Sequence, residues 1–264
     1  THCISSAASD VYKRQSVDTG TASGTGTSTF TANGSNAVTV TATDASGNVS
    51  AAATQTLVVD TTAPTVVITD NQTSTTNGQI IYTFTFSESV SGFTADDVTV
   101  SAGTKGLFTQ VSASVYQLEV TPPAGGEGTI TVGVAATVAA DASGNSNSIA
   151  TDNTQAYDTQ APSAPVLASL PSVTGDNTVA LSMTAQTGST VNVYANGVLL
   201  GTATESGTSG TFTYTTAALL DGNYSVTATA TDAVGNVSAV SSASSFTVDT
   251  VSYTHLRAHE TGRN

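Results

Sequence analysis

The chain has 264 residues, with 19 Asp and Glu against 5 Lys and Arg, for a formal net charge of −14. So acidic a polymer repels nucleic acid and anionic lipid, which argues against both as partners. A single cysteine excludes a disulfide framework, no apolar run is long enough for membrane insertion, and the Thr-, Ser-, Val-, Ala- and Gly-rich composition without Trp favours strands and tight turns over helices.

Both ends read as foreign. Residues 5–15 (SSAASDVYKRQ) and 251–261 (VSYTHLRAHET) resemble two transposon-type adapters of sequencing libraries translated in frame. Residues 1–15 and 251–264 are therefore set aside as adapter read-through. With them go His2, His255, His259 and Cys3, along with Lys13, Arg14, Arg257 and Arg263. Lys105 is then the only basic side chain against 17 acids, a net charge of 1 − 17 = −16. An array so rich in carboxylates and free of native His and Cys points to hard divalent cations and away from transition metals.

The remaining residues divide into three segments: 16–60, 61–158 and 159–250. The first keeps only two predicted strands, Val38–Ala42 and Thr56–Val59, and should be poorly packed as the C-terminal part of a truncated repeat. In the second, strands are predicted at Thr65–Ile68, Ile80–Phe86, Val98–Val100, Tyr116–Val120 and Ile130–Val134. Phe93–Asp97 reads as one helical turn with Thr94 or the acids at its start. The adjacent Asp96 and Asp97 suit that role better than an acid/base pair, and without a native His or Cys catalysis is not expected.

In the third segment, strands begin at Val166-Leu167 and Thr178–Thr184. Val191–Ala195, Asn196-Gly197 and Val198–Ala203 form a strong hairpin signal, because Asn-Gly accepts the positive φ angles of a type I′ turn. Phe212–Tyr214, Tyr224–Ala230 and Ser245–Val248 complete about seven strands, an all-β, immunoglobulin-like Greek-key sandwich. Tyr224, after Leu220-Asp-Gly-Asn, matches the tyrosine corner that pins the crossover of such folds. Asn36 stands where Tyr224 aligns in the first segment, so no such corner is expected there.

A signature runs through all three. Asp44-Ala-Ser-Gly-Asn48, Asp141-Ala-Ser-Gly-Asn145 and Asp232-Ala-Val-Gly-Asn236 are each followed, 16 or 17 residues on, by Asp-Thr: Asp60-Thr61, Asp158-Thr159 and Asp249-Thr250. A period of roughly ninety residues means tandem domains, fitting small sandwiches rather than a short solenoid repeat. The loops after the second and sixth strands of a sandwich return to the end where the chain enters. Asp141, Asn145 and Glu88 should thus gather around the linker at Asp60, and Asp232 and Asn236 around Asp158, while Asp44 faces a linker further upstream. Carboxylate, amide and carbonyl oxygens on a flexible joint are how Ca²⁺ is coordinated. The same signature is also a tight turn in its own right, with Asp folding back on backbone amides.

These passages, with Phe86–Phe93 and Leu220–Tyr224, resemble bacterial immunoglobulin-like repeats of very large secreted surface proteins, the middle copy one subtype and the outer two another. The resemblance implies an extracellular stalk or spacer of an adhesin or biofilm protein, with Ca²⁺ at the joints. Its immediate partners would be neighbouring repeats, and any host or matrix ligand would lie elsewhere in the parent protein. The alternative is a ligand- or carbohydrate-binding accessory module of a secreted enzyme; the lack of Trp or a clustered aromatic platform speaks against it.

Overall fold

The structure, a computed structural model, describes residues 12–15, 25–28, 33–43 and 46–251. Tyr12–Gln15 (β1) pairs antiparallel with Thr25–Ser28 (β2), so the segment set aside as read-through carries a strand. Gly34–Val40 (β3) and Ala53–Val59 (β4) form a second two-stranded ladder. None of the described residues from Asn33 to Asp60 is buried, as expected of two strands without an opposing sheet.

The middle segment is a two-layer sandwich. Val66–Asp70 (β5), Ile80–Phe86 (β6), Val98–Val100 (β7), Thr104–Gln110 (β8), Val115–Thr121 (β9), Glu127–Val134 (β10) and Asn153–Asp158 (β11) form its strands. One sheet has the order β5-β6-β9-β8 and the other β11-β10-β7, all pairs antiparallel. This is the ABED/CFG arrangement of a seven-stranded immunoglobulin-type fold. Alternation drives it: Ile80, Tyr82, Phe84 and Phe86 on β6 point inward, as do Tyr116, Leu118 and Val120 on β9 and Ile130, Val132 and Val134 on β10. Phe93 sits edge-on to Phe84, Phe86, Phe108 and Tyr116 at 5.1–5.7 Å between ring centroids.

Thr94 begins a single 3₁₀ turn, Ala95–Asp97. Asp97 Oδ2 accepts from Thr94 N at 2.8 Å and Thr94 Oγ1 at 2.7 Å, so this acid closes a turn, as the sequence implied. Two strands of the middle segment escaped the sequence reading. β8 is an exposed edge with a bulge between Lys105 and Phe108, which hides its period. β11 turns a polar residue inward: Gln155 is buried, its amide donating to Ser74 O at 2.7 Å and Ala156 O at 2.8 Å.

The last segment has eight strands: Val166–Leu167 (β12), Val173–Thr174 (β13), Ala180–Thr184 (β14), Thr190–Ala195 (β15), Val198–Glu205 (β16), Thr211–Thr215 (β17), Gly222–Thr231 (β18) and Ser244–Val248 (β19). β16 pairs first with β15 and then, at Thr204 and Glu205, with β17, joining the two layers into one ladder. β13, the strand beyond the expected seven, runs parallel to β19. At the hairpin, Asn196 and Gly197 adopt φ of 50° and 80°, the left-handed pair that the dipeptide predicts. Tyr224 Oη donates to Leu220 O at 2.9 Å, forming the anticipated corner, and its ring stacks on Phe246. Among the described residues no helix is long and apolar enough to cross a membrane.

Candidate functional site

The Asp-x-x-Gly-Asn loops lie between the last two strands of each copy: β3 and β4, β10 and β11, β18 and β19. Their glycines have φ of 88° (Gly47), 89° (Gly144) and 101° (Gly235), a region that only glycine occupies without strain. In the middle loop Asp141 Oδ1 accepts from the amides of Ser143 and Asn145, each at 2.8 Å. Asp232 Oδ1 accepts from Val234, Gly235 and Asn236 at 2.8–2.9 Å. The aspartate thus builds its own turn, as the plainer reading of the motif required. Asp44 lies outside the described residues.

The signature extends two residues further than it was read. Ser50, Asn147 and Ser238 each accept the amide of the residue two before the aspartate: Ala42 at 2.8 Å, Ala139 at 2.8 Å and Ala230 at 2.9 Å. Each then donates to the next carbonyl in the chain, Ala51, Ser148 and Ala239. These side chains peg the loop to the end of the preceding strand. The repeat of a small polar residue at a fixed offset was visible in the sequence.

Asn145 and Asn236 reach across the joints. Asn145 Nδ2 donates to Asp60 O at 3.0 Å and to Asp141 Oδ2 at 2.8 Å. Asn236 Nδ2 donates to Asp158 O at 3.0 Å and to Asp232 Oδ2 at 2.8 Å. Both amides therefore act toward the linker as donors, not as the oxygen ligands anticipated. The linker aspartates also have a local duty: Asp60 Oδ1 accepts from Thr62 N at 3.0 Å, Asp158 Oδ1 from Gln160 N at 2.9 Å, and Asp249 Oδ1 from Val251 N at 3.1 Å. The neighbouring threonine fastens the linker to the domain it leaves. Thr61 Oγ1 donates to Asn33 Oδ1 at 2.9 Å, Thr159 Oγ1 to Pro123 O at 2.6 Å, and Thr250 Oγ1 to Asp221 Oδ1 at 2.8 Å.

The two joints differ in charge. At the first, Asp60, Glu88 and Asp141 each bring a carboxylate oxygen to within 4.8 Å of the others, the one such group of three among the described residues. Asp60 comes from the linker, Glu88 from the loop after β6, and Asp141, 6% exposed, from the loop after β10. Lys105, the only basic side chain of residues 16–250, donates elsewhere, to Ala95 O. Partial burial, then the charges of Asp141 and Asp60, push the Glu88 carboxyl above its ordinary value. Burial pushes Asp141 up as well, but hydrogen bonds from the Asn145 side chain and the Asn145, Ser143 and Gly144 amides outweigh it and hold Asp141 below its ordinary value. The same contest, burial against hydrogen bonds from Asn236, Gly235 and Val234, leaves Asp232 lowered too.

At the second joint the position of Glu88, two residues past the second strand of its sandwich, belongs to Gln186. Gln186 lines a small polar cleft with Glu127, Asp158, Gln160 and Ser163. Asp158 and Asp232 are not joined there by a third carboxylate among the described residues. A side chain the sequence did not single out takes part instead: Asn77, on the loop between β5 and β6, donates its amide to Asn236 Oδ1 at 3.3 Å.

Residues 60–157 match a family model described as a bacterial Ig-like domain, and residues 168–250 match a second model of the same description. No curated protein matches the chain. Among solved structures, the fibronectin(III)-like modules of Clostridium thermocellum CbhA align over 73% of this chain and 100% of their own at 14% identity, with a TM-score of 0.38. A biofilm-associated protein BSP domain aligns over 70% of this chain and 30% of its own at 20% identity and a TM-score of 0.28. The Yersinia pseudotuberculosis adhesin InvE aligns over 70% and 58% at 12% identity and a TM-score of 0.27. Likenesses of this size carry no information on function.

Proposed function

Because the chain belongs, over residues 60–157 and 168–250, to the bacterial Ig-like domains, we propose that it is a non-catalytic extracellular stalk or spacer segment of a large bacterial surface adhesin, stiffened by calcium at its first joint. One observation carries the calcium reading. Three carboxylates from a linker and two loops of the next domain converge within 4.8 Å, and among the described residues no basic side chain balances them, Lys105 being engaged at Ala95 O. A hard divalent cation, when bound, supplies the missing positive charge.

The residues fit such an ion. Asp141 is held ionised by its amides, and among the described residues no hydrogen bond engages the Glu88 carboxylate, which leaves its oxygens available to ligate. Asp60 keeps one oxygen outside its own turn. At ten times the dissociation constant such a site adds about 1.4 kcal/mol. That is small beside the stability of a domain, yet enough to choose one angle for a hinge.

Among the described residues of the two sandwiches no aromatic side chain is fully exposed: Tyr82, Tyr116, Tyr157, Phe84, Phe86, Phe93, Phe212 and Phe246 are buried, and Phe108, Tyr194, Tyr214 and Tyr224 are half-buried, which disfavours the sugar-binding alternative. Small-angle scattering of the full chain with calcium and with chelator tests the proposal. The expected result is a longer maximum dimension and a sharper extended profile with calcium, abolished by Asp141→Asn. Identical profiles in the two conditions refute it.

A further inference from the structure

We infer that the second joint, between the middle and last sandwiches, is a cation-independent latch made of amides. Three observations carry the inference. Asn236, on the last domain, holds the carbonyl of Asp158 at 3.0 Å while its own orientation is fixed by Asp232 Oδ2 at 2.8 Å. Asn77, on the middle domain, donates to Asn236 Oδ1 at 3.3 Å, which closes a relay running from one domain body to the other. Gln186 supplies a neutral amide where the first joint has the carboxylate of Glu88, and although Glu127 shares its cleft with Asp158, no second trio of carboxylates converges within 4.8 Å among the described residues.

The rest of the linker supports this. Thr159 is tied to the middle domain through Pro123 O at 2.6 Å and, by its amide, through Gly126 O at 2.8 Å. Asp158 N donates to Thr76 O at 2.9 Å, one residue from Asn77, so the donor and the held carbonyl lie on one rigid stretch of the middle domain. Pro162 and Pro165 stiffen the segment that follows. The last domain thus grips the middle one at two points, a backbone carbonyl and a side-chain amide, and neither contact titrates or needs an ion. Gln186, two places past β14, leaves the amides to hold this joint alone.

Distances between paired spin labels on the full chain test this, in a Cys3→Ser background. Thr109→Cys with Thr204→Cys spans the second joint, and Thr56→Cys with Thr109→Cys spans the first. For the Thr109/Thr204 pair the expected distance distribution is narrow and equally wide in calcium and in chelator. Asn236→Ala and Asn77→Ala should each broaden it in both conditions. Asn77→Ala matters most, because that side chain makes no hydrogen bond within its own domain and its loss leaves both sandwiches intact. Broadening of the unaltered chain by chelator overturns the inference, as does an unchanged width in either alanine variant. The Thr56/Thr109 pair reports separately on the calcium reading: no narrowing by calcium there sinks that proposal and leaves the latch standing.

Discussion

Asn147 is the most demanding peg in the chain, and removing it gives a quantitative test of how the loops are held. It is 2% exposed, and its side chain makes four hydrogen bonds. Oδ1 accepts from Val138 N at 2.9 Å and Ala139 N at 2.8 Å, and Nδ2 donates to Ala135 O at 2.9 Å and Ser148 O at 2.8 Å. At about 1 kcal/mol for each, Asn147→Ala should cost about 4 kcal/mol, because four backbone groups lose their partner where water enters poorly. That is a large share of the 5–15 kcal/mol typical of a whole domain. The sibling loops supply the control. Ser50 and Ser238 each make the bond to the strand amide and the bond to the next carbonyl, so Asn147→Ser should recover two of the four and cost about 2 kcal/mol. Calorimetry of the full chain reads these as melting shifts of about 4–8 °C per kcal/mol for a domain this size, with hydrogen exchange assigning the transition to residues 66–158. Equal losses for Ala and Ser, or an Ala loss below about 1 kcal/mol, would refute the peg.

Other outcomes follow from the same geometry. Glu88→Gln should stabilise the chain in chelator, by relieving the repulsion among three carboxylates, and should remove the calcium-dependent rise in melting temperature; a full calcium response in that variant excludes Glu88 as a ligand. Without calcium, stability should rise as pH falls through the elevated value of Glu88 toward its ordinary 4.5, because the folded state takes up that proton more readily than the unfolded chain. Below 3.8 the sign reverses: Asp141 and Asp232, lowered in the fold, contribute stability above 3.8 that is lost as pH drops through their folded values. Denaturant midpoints measured across pH check both limbs, and a flat profile contradicts them. Tyr224→Phe should cost about 1 kcal/mol, confined to the last domain, for the lost bond to Leu220 O; an unchanged melting temperature removes the corner from the account.

The parts of the fold that could be read in advance are those where one residue type answers one backbone demand. Asn196-Gly197 announced its turn, and the inward alternation of Ile80, Tyr82, Phe84 and Phe86 announced a strand between two layers. The convergence of Asp60, Glu88 and Asp141 followed from strand order alone, because loop ends in a sandwich are fixed by counting. What stayed hidden depends on partners far along the chain. β11 gives no apolar alternation, since Gln155 is paired with Ser74 rather than excluded from the core. β16 changes layers midway, which no local pattern encodes. Asn77 has nothing in its neighbourhood to mark it, as its role exists only once a second domain is in place 159 residues later.

The fastening of Thr61, Thr159 and Thr250 to the domain behind them, set against the forward grasp of Asn145 and Asn236, has a consequence for how such chains grow. Each copy carries a plug at its tail and a socket at its head. The threonine clasp and the asparagine grasp recur at both joints, so this part of each connection is interchangeable between copies, whereas Glu88 at the first joint and Asn77 at the second each serve one joint alone.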